Sequence, residues 1–144
     1  MTKPVRTAVI GAGVIGSSWS ALFLAAGHEV TVFDPDPDTE ATVRSYIEKA
    51  WPALEELGLT ARATPDRIRF VQSVEAAVQE AEFVQENVPE RLPIKHATYQ
   101  EIEPLLPKGA IVASSTSGLT LEALQEGWRD PAPLILAHPF IRRT

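Results

Sequence analysis

Gly11-Ala12-Gly13-Val14-Ile15-Gly16 sits between a β-branched run, Val5 to Ile10, and a segment, Val14 to Ala26, that reads as a helix and stops at Gly27. A glycine at the first place of such a string permits a tight turn out of a strand. One at the third lets backbone approach a pyrophosphate, and one at the sixth lets the helix lie close on the sheet. Gly11, Gly13 and Gly16 meet these three demands. Val14 and Ile15 then open a helix whose first N–H groups and positive dipole end suit phosphate. Glu29 to Phe33 is a second strand, stopped by Asp34 and Pro35. Asp34 stands where a carboxylate accepts hydrogen bonds from the hydroxyls of an adenosine ribose. Asp36 and Asp38 follow with no arginine among them, so a 2′-phosphate there would meet like charge. The expected ligand is NAD in preference to NADP. A plainer role for Asp34, opening an Asp-Pro turn, stands beside this one.

Outward from the glycines, strand and helix signals alternate. Asp38 is placed to cap a long helix, Thr39 to Leu57, with Gly58 as its stop and Pro52 expected to kink or break it. Further strands are expected at Arg67 to Val71, Phe83 to Val88, Ala110 to Ser114 and Leu134 to Ala137. Helices are expected at Val74 to Ala81, Pro93 to Leu106 and Leu121 to Glu126. Strands that read as continuous apolar runs between helices indicate a parallel sheet covered on both faces. The expectation is an α/β fold: one domain over residues 1–144 with a doubly wound, six-stranded Rossmann sheet in the order 3-2-1-4-5-6.

Composition narrows the partners. The 144 residues are 44% hydrophobic and 22% charged, the size and make-up of one globular domain. A net charge of -6 offers no basic stripe to nucleic acid or an anionic membrane, so a small-molecule substrate is expected. There is no cysteine, which excludes disulfides and thiolate metal sites, and no metal is expected. No apolar stretch approaches the roughly 20 residues that span a bilayer. The cytoplasm is the expected address.

Three further strings carry a resemblance: Phe83-Val-Gln-Glu-Asn-Val-Pro-Glu-Arg-Leu-Pro-Ile-Lys95, Ala113-Ser-Ser-Thr-Ser-Gly118 and Ala137-His-Pro-Phe140. Together with the glycines they resemble the N-terminal NAD-binding domain of the 3-hydroxyacyl-CoA dehydrogenase family over essentially the whole chain. Val88 to Arg91 and Ala50-Trp-Pro-Ala-Leu54 look most like its carnitine 3-dehydrogenase branch, with the gulonate dehydrogenase and lambda-crystallin branch as neighbour. The resemblance implies an oxidoreductase that moves a hydride from a 3-hydroxy acid to NAD. It places Glu90 and Lys95 as a pair at the nicotinamide end, Ser117 near the substrate oxygen and nicotinamide, and His138 as catalytic base. The plainer alternatives are an exposed ion pair for Glu90 and Lys95 and a helix cap for Ser117. His28 and His96 are expected to serve surface or cap roles.

The chain also departs from that family. Ile141 stands where the family has asparagine. The glutamate about a dozen residues past the histidine, and the helical C-terminal domain, have no counterpart before Thr144. In analogous triads, losing the carboxylate that orients a histidine costs up to about 10⁴ in rate. A truncated or frameshifted gene product is the favoured expectation, with an isolated domain and a natural subunit as alternatives. In either case the chain could be an NAD-binding module that needs a second chain for activity, and surface left uncovered invites self-association.

Overall fold

A computed structural model describes residues 3–138. The expectations attached to Ile141 and to the end of the chain lie outside the described residues. The elements run β1 (Arg6–Ile10), α1 (Val14–Ala25), β2 (Glu29–Phe33), α2 (Thr39–Leu57), β3 (Ile68–Phe70), α3 (Val74–Val78), β4 (Phe83–Glu86), α4 (Leu92–Ile102) with a 3-10 turn at Glu103–Leu105, β5 (Ile111–Ser114), α5 (Leu121–Gln125) and β6 (Leu134–Leu136). The strands form one parallel sheet in the order β3-β2-β1-β4-β5-β6, the expected doubly wound arrangement.

The central strand explains why the sheet needs two layers of helix. Ala8, Val9 and Ile10 of β1 are all buried, because successive side chains point to opposite faces and both faces are covered. Ala8 and Ile10 join Val84, Val112, Leu134, Tyr99, Ile102 and Leu124 under α3, α4 and α5. Val9 joins Val30, Val32, Ile68, Leu24, Val43 and Ile47 under α1 and α2. The buried face of α1 is made of Gly16, Ser17, Ser20, Ala21 and Leu24, mostly small residues that bring the helix axis close to the sheet.

Two local expectations are corrected. α2 runs unbroken through Pro52 to Leu57. Proline removes one helical hydrogen bond, but Ile47 before it and Leu54 after it both pack on the core beneath α1 and α2, so the helix continues past it without a break. Asp38 does occupy the N-cap of α2, yet its side chain makes no capping bond. The Thr39 amide and hydroxyl donate to the Asp36 carbonyl instead, at 3.2 and 2.7 Å.

Candidate functional site

The turn after β1 is shaped by glycine for reasons of space. Gly11 has φ 87°, and a Cβ there would lie 2.7 Å from the Asn87 carbonyl oxygen. At Gly16 a Cβ would meet the Gly11 carbonyl oxygen at 2.0 Å, so the helix can come this near the turn only without a side chain. Gly13 differs: no atom lies within 4 Å of where its Cβ would be, and its openness serves whatever approaches from outside. It is also the N-cap of α1, which has no side-chain cap and no acid in its first turn. Ser17 donates the first helical bond, back to Gly13 at 2.9 Å. The amides before it, including those of Val14 and Ile15, are the orphan donors that every helix start presents. Val14 is 67% exposed beside them. An open backbone cradle with uncapped donors and no acid in the helix's first turn fits a pyrophosphate.

Asp34, at the end of β2, faces this turn. Its Oδ2 accepts the Ala12 amide at 2.8 Å and its Oδ1 accepts the Asp36 amide at 2.9 Å. The turn-opening role is therefore real, and each oxygen keeps a lone pair for a further donor. Next to it a cleft of about 530 Å³ opens between the β2–α2 loop and the end of β3, with Phe33, Pro35, Phe70, Val71 and Gln72 in its walls. A comparable cavity of about 580 Å³, lined by Arg6, Glu29, Arg67 and Arg69, lies toward the amino ends of the first three strands. Ligands of open parallel sheets bind outside the carboxyl ends, where the strand order reverses between β1 and β4, and the first cleft is the one at that end of the sheet.

On the other side of the glycines, the ends of β4 and β5 meet. Asn87 Nδ2 donates to the Gly11 carbonyl at 3.1 Å, and Asn87 Oδ1 accepts from the Ser115 hydroxyl. Ser115 Oγ in turn accepts from Gln85 Nε2 at 2.7 Å and from Trp19 Nε1 at 3.2 Å. These residues lock the turn to its neighbours and were absent from the sequence expectations. The signal was there in part: Ile10 and Glu86 are paired across β1 and β4, which puts Asn87 directly beside Gly11.

The resemblance-based residues fall around this edge in an informative way. Glu90 accepts from the Thr116 hydroxyl and from the Gly118 amide at 3.4 Å, tying the β4–α4 loop to the β5–α5 loop. Burial pushes its carboxyl up. The bonds from Thr116 and Gly118, the Lys95 charge and the Leu119 amide outweigh that, and its pKa is lowered overall. Lys95 does not pair with Glu90. Its ammonium, 1% exposed, donates to Glu86 Oε2 at 2.6 Å and to the Val88 carbonyl at 3.0 Å. The exposed ion pair is excluded with it. Ser117 is exposed at the tip of the β5–α5 loop. It does not cap α5: Thr120 does, accepting the Ala123 amide at 3.1 Å.

His138 follows β6, and its Nδ1 lies 2.8 Å from the Ser115 carbonyl oxygen. A carbonyl only accepts, so Nδ1 carries the proton in this contact. The main chain just after β5 thus fixes the tautomer of the ring in this contact. His28 and His96 have the structural roles expected of them. His28 Nδ1 accepts the Val5 amide at 3.0 Å, and His96 Nε2 sits 2.7 Å from the Ala123 carbonyl oxygen. Among the described residues no cluster of histidine and acidic side chains could hold a metal, and no helix is long and apolar enough to cross a membrane.

A doubly wound sheet with a glycine cradle at its switch point, an acid closing β2 and a histidine beyond β6 defines a dinucleotide-binding domain of an oxidoreductase. More particularly, the chain belongs to the 3-hydroxyacyl-CoA dehydrogenase, NAD-binding domain family, whose pattern matches residues 6–142. Curated relatives include the L-carnitine dehydrogenase of Streptomyces coelicolor, 46% identical over 143 residues, which are 97% of this chain and 45% of that protein. The L-carnitine dehydrogenase of Nocardiopsis dassonvillei is 47% identical over 139 residues, 96% of this chain and 42% of that protein. Among solved structures, an NAD+ dependent dismutase, a 5-formyl-3-hydroxy-2-methylpyridine 4-carboxylic acid 5-dehydrogenase, superposes with TM-score 0.83 at 33% identity over 93% of this chain and 44% of that one. The 3-hydroxybutyryl-CoA dehydrogenase of Escherichia coli K12 shares the fold at TM-score 0.83 and 24% identity, over 96% of this chain and 30% of that one. The chain spans less than half the length of these relatives.

Proposed function

We propose that this chain holds NAD for the oxidation of a 3-hydroxy acid of the carnitine kind. The observation that carries the reading is the open cradle at Gly13: an uncapped helix start, no acid in its first turn, and Asp34 clamped beside it. Gly11, Gly13, Val14, Ile15 and Gly16 receive the pyrophosphate, Asp34 the adenosine ribose, and Glu90, Lys95 and Ser117 serve the nicotinamide end, Lys95 from behind the wall. NAD, when bound, accepts the hydride from the carbinol carbon. His138 Nε2 takes the hydroxyl proton, and its Nδ1–H, held by the Ser115 carbonyl, keeps the ring oriented as the imidazolium forms. Ser117 donates a hydrogen bond toward the same substrate oxygen.

A second reading is favoured by one fact, that the chain covers only 45% of a carnitine dehydrogenase 46% identical to it. In this reading the 144 residues bind NAD and turn over nothing without a further polypeptide. Calorimetry with NAD and NADP, followed on the same sample by NADH formation with L-carnitine, separates the two. NAD binding above NADP supports both, and equal affinities overturn the cofactor assignment. Turnover within the roughly 1–10³ s⁻¹ of ordinary enzymes sinks the second reading; binding without turnover supports it.

A further inference from the structure

Gln85 lies in β4, is 0% exposed, and has one polar atom, Oε1, without a hydrogen-bond partner among the described residues. An orphaned buried acceptor lowers stability in a way that an apolar side chain of the same size would not. Its amide nitrogen, by contrast, uses both hydrogens. Nε2 donates to Ser115 Oγ at 2.7 Å and to the Ala137 carbonyl at 3.3 Å. That carbonyl can only accept, which settles which end of the amide faces it. Gln85 is paired with Ala113 of β5, and Ala113 with Ile135 of β6, so the side chain crosses β5 to reach the backbone that follows β6. At the crossing Ala113 presents only a methyl group.

Both acceptors bear on His138. Ala137 precedes it, and the Ala137 amide donates to the Ser114 carbonyl at 2.8 Å, so both main-chain polar groups of Ala137 are held. The Ser115 carbonyl oxygen is the one that lies 2.8 Å from His138 Nδ1. Ser115 itself is saturated. Its hydroxyl accepts from Gln85 and from Trp19 Nε1 and donates to Asn87 Oδ1, the two acceptor sites and one donor that a hydroxyl has. Asn87 carries the connection on to the Gly11 carbonyl, so the glycine turn and the histidine belong to one network. A side chain that lowers stability at its own position thus fixes the main chain on both sides of the imidazole contact.

We propose that Gln85 is a positioning residue: its amide, laid across β5, holds Ala137 and Ser115 so that His138 keeps its Nδ1–H on the Ser115 carbonyl. The proposal rests on the reading of His138 as the base of an NAD-dependent oxidation, but its test needs neither cofactor nor turnover. Long-range proton–nitrogen NMR correlation of the imidazoles at about pH 9, where histidine is neutral, tells the two tautomers apart. His138→Gln identifies the His138 signals among those of the three histidines. The unmutated chain is expected to hold His138 as Nδ1–H. Gln85→Met fills the same space without a donor and removes the orphaned acceptor, so it is expected to melt within a few degrees of the unmutated chain or above it. Its His138 Nδ1–H population is expected to fall by about twofold or more, because the tautomer follows the hydrogen bond the ring makes. His28 and His96, held by the Val5 amide and the Ala123 carbonyl, keep their signals and serve as controls. If Gln85→Met does not fold, hydrogen exchange of the Gln85 side-chain amide in the unmutated chain decides. Exchange about tenfold or more slower than that of the exposed Gln79 supports the proposal, and exchange at the Gln79 rate overturns it. A folded Gln85→Met that keeps its Nδ1–H population, or an unmutated chain with His138 as Nε2–H, overturns the proposal while NAD binding, measured by calorimetry on the same samples, leaves the cofactor reading standing. An unmutated chain that binds no NAD overturns that reading, and the role assigned to Gln85 falls with it.

Discussion

Asp34 Oδ2 is bonded to the Ala12 amide and Oδ1 to the Asp36 amide, so the carboxylate proposed to hold the ribose also shapes the glycine turn. Replacing it removes charge-assisted hydrogen bonds on both sides. Asp34→Ala is expected to weaken NAD by about 10- to 100-fold, the equivalent of roughly 1.5–3 kcal/mol for bonds to a charged group, and to narrow the preference over NADP. Titration of the variant with both cofactors checks this, and an unchanged ratio refutes the assignment. The placing of Asp34 beside the three glycines was readable in sequence because it depends on spacing alone. The partner of Lys95 was not. Glu86 and Glu90 both lie within reach of a lysine on the first turns of α4. The choice between them depends on which way a strand-end side chain points and on the hydroxyls of Tyr99, one turn further along α4, and of Ser114 at the end of β5. Tyr99 records the outcome: burial and then the Glu86 carboxylate push its phenol up, keeping it a donor.

At the scale of elements, the sheet and its order followed from strands that alternate with helices, and the boundaries shifted by a few residues where ends are decided by tertiary contact. β4 was expected to reach Val88 and stops at Glu86, because Val88 spends its amide on the Glu86 carboxylate instead of the ladder. The cap of α5 went to Thr120 although Ser117 was also a candidate, since Thr120 directly precedes the helix while Ser115 and Thr116, just before Ser117, are tied to Asn87 and Glu90 of the β4–α4 loop. That joining has a pH signature. The Glu90 pKa lies below its ordinary value of 4.5, so its folded form favours the carboxylate. Its contribution is complete above the unfolded pKa and is lost as pH falls through the lower folded value. Glu90→Gln removes this dependence. Thermal melts of both proteins from pH 6 to pH 3 are therefore expected to show the unmutated chain losing its advantage over Glu90→Gln as acid is added below about pH 4.5. Parallel curves would rule the linkage out.

Across the whole molecule the two faces of the sheet are not treated alike. α3, α4 and α5 cover one face as far as Leu134 of β6. On the other, α1 and α2 lie over the β1–β2–β3 half. Beyond them Phe83 stands against Phe23 of α1 at a ring distance of 5.9 Å, while Ile111 and Ile135 remain 42% and 44% exposed. The pairing of Ala113 with Ile135 and of Phe83 with Ile111 sets these side chains on the same face, so they form one apolar strip across β4, β5 and β6. Parallel sheets are ordinarily covered on both sides, and a bare apolar strip beside an edge strand invites contact. In a solution of this chain alone the available partner is another copy. Sedimentation velocity over a wide concentration range is expected to show reversible association. Ile135→Lys, which places a charge in the strip on a side chain that is already exposed, is expected to shift it to monomer while leaving NAD affinity unchanged, because the strip lies on the side of β5 and β6 remote from Gly13 and Asp34. A chain that stays monomeric at every concentration would show that the strip is tolerated in water.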